Sequence, residues 1–325
     1  MKRPEHVGVL TSGGDAPGMN AAIRAVVRSS LYHGLRITGI IEGYDGMVNG
    51  RFMPLGSRDV SNIIQRGGTI LRSARSEAFR SPEGRAKAAG ALRAEGIDAV
   101  VVIGGDGTFN GAMVFEREHD IPLIGLPGTI DNDLKGTDAT IGFDTATNTA
   151  VTAIDKIRDT ASSHDRLFFV EVMGRDTGFI AMHAAMGAGA EYVMLPEERQ
   201  TIDELVRALD QGSRTKSSSI VIVAEGDEEG GALTIARKVR ERFDHYDIRV
   251  TVLGHLQRGG SPTVADRVLA SRLGVSAVEQ LINGVHGGML GLINDQVTFT
   301  PFEAALAGRK ALQYDLLRLQ AILSI

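Results

Sequence analysis

The stretch AVVVIGGDGTFNGA, residues 99–112, decides the fold, because a run of apolar residues leads into a glycine-rich loop and then into a helix. The run Ala99–Ile103 is apolar throughout, which is typical of a strand buried on both faces of a parallel sheet. The glycines allow a tight turn and a close approach of the backbone to a bound anion. The stretch therefore predicts a strand–loop–helix unit of an α/β protein, with an anion site at the loop.

Other short apolar runs share this layout along the chain. They are Val7–Leu10, Ile37–Ile41, Leu123–Leu126, Leu167–Val172, Ile220–Ala224 and Ile248–Leu253. Helical patterns lie between these runs, at Met19–His33, Pro82–Glu95, Ala146–Ser162, Ile202–Gln211 and Arg267–Asn283. Because strands and helices alternate, we expect an α/β protein with mainly parallel sheets flanked by helices, and ligands beyond the carboxyl ends of its strands.

The composition bounds the class of protein. A chain of 325 residues is long enough for two lobes, and 43% hydrophobic residues with a net charge of -5 indicate a folded protein without a nucleic-acid partner. There are no cysteines, which excludes disulfides and thiolate chemistry and fits a reducing cytoplasm. The apolar runs are too short to span a bilayer, and the N-terminus lacks a signal-peptide core, so we expect a cytoplasmic protein with no membrane partner.

The loop GGDGT, Gly104 to Thr108, carries a carboxylate inside a phosphate-binding turn. Backbone amides at the start of the following helix attract phosphate, and Asp106 beside phosphate predicts a Mg²⁺ ion. The chain contains neither GKS nor GKT, which excludes a P-loop. A plain strand-to-helix turn with an incidental aspartate is the alternative, and GGDGT by itself is compatible with several kinase families.

A second glycine loop, TSGGDAPGMN at Thr11 to Asn20, follows the first predicted strand. Gly13 and Gly14 leave room for a donor phosphate, and Asp15 is placed to assist through water or a metal ion. A tight turn into a helix is the alternative interpretation of this loop.

The loop PGTIDND, Pro127 to Asp133, is the most specific of the three. Transfer of a phosphoryl group to an alcohol needs a group that accepts the hydroxyl proton, and a carboxylate suffices because the transition state is loose. We therefore assign Asp131 as the base, with Asp133 as its orienter and Thr129 beside them. An Asx-turn with two solvated acids is the alternative.

Two later loops carry arginine beside glycine at predicted strand ends. VMGRDTG contains Arg175, and GHLQRGG contains His255 and Arg258. Arginine binds phosphate with two parallel hydrogen bonds, whereas a lone loop arginine is more often solvated. Glu225, in VAEGD, also ends a strand and is placed to accept hydrogen bonds from sugar hydroxyls.

These motifs, in the order TSGGDAPGMN, GGDGT, PGTIDND, MGR, AEG and GHLQRGG, closely resemble those of the bacterial ATP-dependent 6-phosphofructokinase family. The resemblance runs from Val7 to about Gly291. It implies two Rossmann-like lobes, an ATP-binding lobe of 1–142 plus 258–310 and a sugar-phosphate-binding lobe of 143–257 plus 311–325. It also implies a homotetramer that phosphorylates fructose 6-phosphate at its 1-hydroxyl with ATP and Mg²⁺, an allosterically regulated step of glycolysis.

The resemblance also implies the residues of each site. ATP would bind Gly14, Tyr44, Arg75, Ser76, Gly105, Asp106, Gly107, Thr108 and Gly111, with Asp106 on the metal. Fructose 6-phosphate would bind Thr129, Asp131, Asp133, Arg166, Met173, Gly174, Arg175, Glu225, Arg249, His255 and Arg258. Asp131 would accept the proton and Arg175 would stabilise the transferring charge. Arg166 and Arg249 would reach in from a neighbouring subunit.

Arg24 and Arg28 lie four residues apart on one helix face, and a solvated basic face is the plain interpretation. The resemblance instead implies an allosteric site for ADP or phosphoenolpyruvate. That site would comprise Arg24, Arg28, Arg158, Gly189, Arg214, Lys216 and Ser218. Asn62 stands where an acidic residue is common in the family, and Ser218 where a histidine is common, so the preference for one effector stays open.

The resemblance also implies that donor choice depends on Gly107 and Gly128, where pyrophosphate-using relatives typically carry larger charged residues. Glycine at both positions favours ATP. Two alternatives remain: a GGDGT kinase that acts on NAD or a lipid, and a catalytically silent nucleotide sensor. The first does not explain PGTIDND or GHLQRGG, and the second has no need of a base.

Overall fold

The computed structural model describes residues 3–161, 166–212, 218–242 and 247–323, which form two compact units. The first unit comprises Met1–Asp144 and Arg258–Lys310, and the second comprises Thr145–Gln257 and Ala311–Ile325. The chain therefore passes between units after residues 144, 257 and 310. The first unit ends at 144 here, against 142 in the lobe predicted above.

The strands and helices alternate along most of the chain. In chain order the strands are β1 (His6–Thr11), β2 (Arg36–Ile40), β3 (Phe52–Pro54), β4 (Ala99–Gly104), β5 (Leu123–Pro127), β6 (Arg166–Val172), β7 (Tyr192–Met194), β8 (Ser218–Ala224), β9 (Asp247–Val252), β10 (Gly288–Ile293) and β11 (Gln296–Pro301). The helices are α1 (Met19–Tyr32), α2 (Gly43–Asn49), α3 (Pro82–Glu95), α4 (Asp106–His119), α5 (Phe143–Ala161), α6 (Phe179–Ala188), α7 (Ile202–Gly212), α8 (Ala232–Arg240), α9 (Val264–Ile282), α10 (Phe302–Leu306) and α11 (Tyr314–Leu323).

In the first unit, the described strands form one seven-stranded sheet in the order β11-β10-β5-β4-β1-β2-β3. The five strands from β10 to β2 are parallel to their neighbours, and the two edge strands β11 and β3 are antiparallel. Strands β1 and β4 are completely buried, as the continuous apolar runs predicted. The apolar core of this unit packs around them.

In the second unit, the described strands form a four-stranded sheet in the order β7-β8-β6-β9, and all three pairings are parallel. Its core is a second, separate cluster of buried apolar side chains from β6, β8, α7 and α8. Both sheets are mainly parallel and flanked by helices, so the predicted fold class is confirmed.

Helix α1 packs closely on α9 in the first unit. Gly274 makes this approach possible, because a Cβ atom there would lie 2.6 Å from the Cβ of Ala25 and 3.0 Å from the carbonyl oxygen of Ala22. The contact holds the helix that follows the first glycine loop against the body of the unit.

All seven predicted strands are present with bounds within two residues of those predicted, but four others were not predicted. Three of these, β3, β7 and β11, are short or lie at sheet edges, and β11 is partly exposed along its length. Continuous apolar runs do not identify such strands, because β3 and β11 are partly exposed and β7 has only three residues. Within the described chain, no helix is long and apolar enough to cross a membrane.

Candidate active site

In the first unit, the three predicted loops begin side by side. Thr11 of β1 is in register with Ile103 of β4, and Gly104 of β4 is in register with Pro127 of β5. Backbone hydrogen bonds continue past the strands, from Ser12 to Ile103 O and from Gly128 to Gly104 O, both 3.0 Å long. The parallel sheet therefore brings the two glycine loops and the acidic loop to one edge.

The GGDGT loop is tight at its start and open in the middle. A Cβ atom on Gly104 would lie 2.3 Å from the Thr108 Oγ1 atom and 2.5 Å from the Ser12 carbonyl oxygen. A Cβ on Gly107 would meet no atom within 4 Å. Asp106 lies in the first turn of α4, where the helix dipole favours anions. The loop therefore leaves space at Gly107 and presents a carboxylate beside it.

Tyr44 supports this loop from inside the unit. Its hydroxyl donates to the Thr108 carbonyl oxygen at 2.6 Å, and its ring stacks on Phe79 with the ring centroids 4.0 Å apart. Only 6% of Tyr44 is exposed. A Cβ on Gly111 would lie 3.1 Å from the Tyr44 ring, so glycine there also serves packing.

The acidic loop is locked by its own side chains. Asn132 adopts a left-handed backbone conformation, with φ 55°, between the two aspartates. Its Oδ1 atom accepts a 3.0 Å hydrogen bond from the Thr140 amide, and the Thr140 hydroxyl donates to Thr129 O at 2.6 Å. The Asp131 amide donates to the Thr129 hydroxyl at 3.2 Å, and Asp131 is 4% exposed. Asn132 and Thr140 were not assigned from the sequence.

At this edge of the sheet, the charges of Asp106 and Asp131 act on the carboxyl group of Asp133. Burial, followed by the nearby Asp106 and Asp131 carboxylates, raises the pKa of Asp133 to about 6. Accumulated negative charge of this kind suits a divalent cation. In the described part of the chain, no three His, Asp or Glu side chains form a group able to hold a metal ion alone. In kinases, one or two carboxylates usually share Mg²⁺ with the nucleotide phosphates.

Lys310 is a further residue that sequence reasoning missed. Its amide donates to Asp133 O at 3.0 Å and its ammonium to Asp138 O at 2.6 Å. Burial lowers its pKa to about 8, against the opposing effects of Asp138 and Asp133. Lys135, just after the acidic loop, in turn donates to the carbonyl oxygen of Ala307, just after α10, at 2.7 Å. The segment after α10 therefore holds the acidic loop, a contact between residues about 170 positions apart.

The first glycine loop lies against Arg258. A Cβ on Gly14 would be 2.7 Å from the Arg258 Nη1 atom, and that nitrogen donates to the Asp15 carbonyl oxygen at 3.2 Å. Arg258 was assigned to the sugar phosphate by resemblance, and the structure places its guanidinium on the loop assigned to the donor.

The ends of the first loop organise a second segment. Thr11 is completely buried and donates to Arg72 O at 2.8 Å, while Asn20 bonds to the backbone of Arg66, Gly67 and Ile70. This segment leads into Arg75, which is exposed, and Ser76, whose hydroxyl donates to Asp45 Oδ1 at 3.2 Å. The sequence motif contained Thr11 and Asn20, but their structural role depends on contacts 46 to 61 positions away.

In the second unit, Glu225 holds the MGR turn. Its Oε1 atom accepts hydrogen bonds from the Arg175 amide at 2.7 Å and the Gly174 amide at 3.3 Å. Arg175 has φ 54° and its side chain is exposed. The fully buried Gln257 accepts from the Met173 amide at 3.3 Å and donates to Gly254 O at 3.1 Å. The structure thus brings Met173, Gly174, Arg175 and Glu225 together and adds Gln257.

Arg166 and Arg249 converge on Asp247, which was not assigned from the sequence. Arg166 Nε donates to the Asp247 carboxylate at 3.0 Å, and Arg249 donates to the same oxygen at 2.9 and 3.2 Å. Desolvation opposes the change, but the hydrogen bonds from Arg249 and Arg166 keep the pKa of Asp247 below its usual value. His255 is exposed on the short helical turn Gly254–Arg258.

The residues assigned to an effector site belong to both units. Arg24 and Arg28 lie on α1 of the first unit, and burial, then Arg28, lowers the pKa of Arg24. In the second unit, Arg158 donates to the carbonyl oxygens of Ala188 and Gly189, at 2.9 and 2.8 Å. These hydrogen bonds satisfy two carbonyl oxygens at the C-terminal end of α6. Arg214 and Lys216 lie outside the described residues, and Ser218 begins β8.

Comparisons with known proteins agree with these motifs. The chain is 54% identical over 320 residues to ATP-dependent 6-phosphofructokinase 2 of Bacteroides thetaiotaomicron, with 98% of each chain covered. It is 56% identical over 326 residues to ATP-dependent 6-phosphofructokinase 1 of Thermus thermophilus, with both chains completely covered.

Solved structures give the same fold. The Pichia pastoris phosphofructokinase structure in the T-state aligns with a TM-score of 0.88 at 35% identity, over 94% of this chain and 38% of that one. A pyrophosphate-dependent phosphofructokinase from Nitrosospira multiformis aligns with a TM-score of 0.86 at 19% identity, over 99% of this chain and 92% of that one, which shows the fold alone. The phosphofructokinase family model matches residues 6–281. Given this match and the near full-length identities, the chain belongs to the phosphofructokinase family.

Proposed function

We propose that the chain transfers the terminal phosphoryl group of ATP to the 1-hydroxyl of fructose 6-phosphate, giving fructose 1,6-bisphosphate and ADP. The observation that carries the proposal is the arrangement of the acidic loop beside the GGDGT loop at the carboxyl ends of β4 and β5. Identities of 54 to 57% to proteins named ATP-dependent 6-phosphofructokinase support this choice of donor and acceptor.

Asp131 is the proposed base. It is buried, and its loop is held by Thr129, Asn132 and Thr140, so the carboxylate is pre-positioned for the hydroxyl of the acceptor. A carboxylate of ordinary basicity suffices, because the hydroxyl proton leaves late in a loose transition state. Asp133 then orients Asp131 and adds to the charge of the loop.

Asp106 is the proposed ligand of Mg²⁺, together with the phosphates of ATP. An ion held there would neutralise negative charge on the phosphate groups of the donor. The amides at the start of α4 and the open space at Gly107 accommodate the phosphate chain of the donor. Gly14, Tyr44, Arg75, Ser76, Gly105, Thr108 and Gly111 complete the proposed ATP site, which makes the first unit the ATP-binding lobe.

The second unit is the proposed sugar-phosphate-binding lobe. Met173, Gly174, Arg175, Glu225 and His255 are its proposed contacts to fructose 6-phosphate, with Arg175 also stabilising the transferring charge. Glu225 uses one carboxylate oxygen to hold the Arg175 turn, so its second oxygen is the one proposed for a sugar hydroxyl. Arg258 is proposed to bind the acceptor from its position on the first glycine loop.

A homotetramer, an effector site and a cytoplasmic location complete the proposal. Arg166 and Arg249 would serve a neighbouring subunit, and their shared hydrogen bonds to Asp247 would keep both guanidinium groups in place. Arg24, Arg28, Arg158, Gly189, Arg214, Lys216 and Ser218 would form the site for ADP or phosphoenolpyruvate.

One coupled assay tests the reaction. ADP release is followed with ATP and Mg²⁺ in the presence of fructose 6-phosphate, NAD or no acceptor. We expect turnover only with fructose 6-phosphate. Turnover with NAD instead, or none with any acceptor, would remove the proposed function.

The same assay tests Asp131. We expect Asp131→Ser to lower kcat by about 10²–10⁴, the usual scale for a positioned base, with a smaller effect on ATP binding. A kcat near that of the unsubstituted protein would take Asp131 out of this role. Asp155→Ser, at an exposed position on α5, is the control for loss of a carboxylate outside the proposed site.

A further inference from the structure

Three long side chains occupy a backbone conformation that long side chains rarely adopt. In the described chain, eight residues other than glycine have positive φ, and five of them are asparagine or aspartate, which tolerate it. The other three are Glu42, Arg72 and Arg175, with φ of 64°, 58° and 54°. Such strain persists only where the surroundings impose it, and it concentrates at functional sites.

All three residues lie at the carboxyl ends of strands. Glu42 follows β2 by two residues and Arg175 follows β6 by three. The carbonyl oxygen of Arg72 accepts a hydrogen bond from Thr11, the last residue of β1. Arg175 already has a proposed role in the reaction, and Glu42 directly precedes the helix that carries Tyr44. Neither motif nor resemblance gave a role to Glu42 or to Arg72, but the Glu42 carboxylate is paired with Arg51, whereas the Arg72 side chain is 75% exposed.

The backbone at Arg72 is held from several sides. Thr11 donates to its carbonyl oxygen at 2.8 Å, and its own amide donates to Thr69 O at 3.2 Å. The preceding carbonyl, that of Leu71, accepts a 2.7 Å hydrogen bond from the Glu42 amide. These contacts fix where the side chain starts, beside the loop that contains Gly14.

The side chain of Arg72 contributes little to the fold. It is 75% exposed, and its Nη1 atom is 3.9 Å from the Glu42 carboxylate, which also pairs with Arg51. An exposed ion pair of that length has a small effect on stability. Glycine would remove the strain, and the chain uses glycine at positive φ nearby, at Gly43 and Gly68. Folding therefore gives no reason for arginine at this position.

We propose that Arg72 is a further donor-binding residue whose guanidinium contacts the phosphate groups of ATP. The inference rests on the proposed function, in which ATP is the donor. Arg72 is anchored to the residue that begins the first glycine loop, and it precedes the proposed ATP contacts Arg75 and Ser76 by three and four residues. A guanidinium there balances phosphate charge beside the three carboxylates of the site.

The test compares three substitutions at this position. Arg72→Gly removes both guanidinium and strain, Arg72→Ala removes the guanidinium and keeps the strain, and Arg72→Lys keeps a positive charge. Arg117→Ala is the matched control, because Arg117 is also exposed and paired with a glutamate, Glu303, at the opposite end of α4. For each protein, ATP binding is measured by calorimetry without acceptor, and thermal unfolding and kcat/KM are measured alongside.

We expect Arg72→Gly and Arg72→Ala to weaken ATP binding equally, by roughly ten- to a hundredfold, the scale of a charge-assisted hydrogen bond. Arg72→Gly should unfold at a higher temperature than Arg72→Ala, and Arg72→Lys should recover most of the ATP affinity. The KM for fructose 6-phosphate should change little, because the proposed contact is to the donor alone.

Two results would overturn the inference. Unchanged ATP affinity in Arg72→Gly would mean that the guanidinium makes no donor contact. A loss in Arg72→Gly alone, with Arg72→Ala unaffected, would assign the effect to the backbone conformation instead. A protein that binds ATP but does not phosphorylate fructose 6-phosphate would contradict the proposed function and leave the Arg72 comparison intact, since binding is measured without acceptor.

Discussion

Two glycines of the active site, Gly107 and Gly128, differ in what surrounds them. A Cβ on Gly107 meets open space, whereas a Cβ on Gly128 would lie 2.9 Å from Ile103 and 3.2 Å from Met19 side-chain atoms. Gly128 therefore has a packing reason to be glycine that is independent of the donor. No packing contact requires glycine at position 107, so Gly107 is the stronger indication that ATP is the donor.

Gly107→Asp is expected to suppress the use of ATP, because a carboxylate would occupy donor space and repel phosphate. We expect kcat/KM for ATP to fall about tenfold or more, with normal thermal unfolding. Gly107→Ala serves as the control for added volume without charge, and steady-state kinetics with ATP is the measurement. If Gly107→Asp phosphorylates with ATP as well as the unsubstituted protein, this explanation of donor choice fails.

His6 is a buried titratable residue that couples stability to pH. It is 4% exposed, and its Nδ1 lies 3.1 Å from Gly96 O, which can only accept, so Nδ1 carries the proton and Nε2 accepts from the Thr38 hydroxyl at 2.8 Å. Burial, followed by Arg36, lowers the pKa of His6. The unfolded chain therefore binds the proton more tightly than the folded chain does.

The stability contributed by neutral His6 is complete above the unfolded pKa of about 6.5 and is lost as the pH falls below it. We expect the free energy of unfolding to drop by up to about 1.4 kcal/mol for each pH unit lost in that range. Thermal unfolding at pH 7.5 and 5.5 measures this, with His6→Gln as the comparison. An equal loss in His6→Gln would assign the pH effect to other groups.

At the scale of single elements, helix ends follow their local capping residues. Helix α3 begins at Pro82 because the Ser81 hydroxyl accepts from the Gly84 amide at 3.1 Å, and it ends before Gly96 in the left-handed conformation. Its bounds match those predicted from the sequence. Helix α9 begins three residues earlier than predicted, because Thr263 caps it through the Asp266 amide.

Substituting alanine for two helical glycines should change the stability of the protein in opposite directions. Gly90, inside α3, has no atom within 4 Å of an added Cβ, so Gly90→Ala should stabilise the protein by about 0.5–1 kcal/mol through helix propensity. A Cβ added to Gly274, inside α9, would lie 2.6 Å from the Ala25 Cβ. Gly274→Ala should therefore destabilise the protein by roughly 1–3 kcal/mol through overpacking. Calorimetric unfolding of both variants is the measurement. A stabilised Gly274→Ala would mean that α1 and α9 separate easily.

The β10–β11 hairpin illustrates an element missed for a local reason. Asn294 and Asp295 form its two-residue turn, with φ of 48° and 61°, a pairing that favours tight hairpins. The turn signal was present in the sequence. Apolar runs alone do not reveal the hairpin, because β11 is an edge strand that mixes exposed and partly buried residues.

At the scale of the whole molecule, the proposed division of ligands between units is testable. Hydrogen exchange should slow in the first unit with ATP and Mg²⁺, at residues 11–20 and 104–111, because bound ligand suppresses local opening. Fructose 6-phosphate should give its larger protection in the second unit, at residues 172–178. Residues 82–95 of α3 serve as the internal control. The assignment of lobes would be wrong if ATP protected 172–178 more than 104–111.

The sequence by itself determined the family, the fold class and the positions of the chemical motifs. These follow from neighbours in the chain, since apolar runs, glycine turns and caps act over a few residues. The residues assigned to sites by resemblance stay predictions, although Met173, Gly174, Arg175 and Glu225 do lie together.

Only the tertiary structure decided which residues support those motifs. Lys310 holds the acidic loop, Gln257 holds the MGR turn, Asp247 joins two arginines, and Arg258 lies on Gly14. Apart from the Asp247–Arg249 pair, each of these contacts joins residues far apart in the chain, and the strained backbone of Arg72 depends on Thr11 in the same way. Such contacts arise from the packing of a parallel sheet, which brings strand ends together irrespective of their distance along the sequence, and no local pattern encodes them.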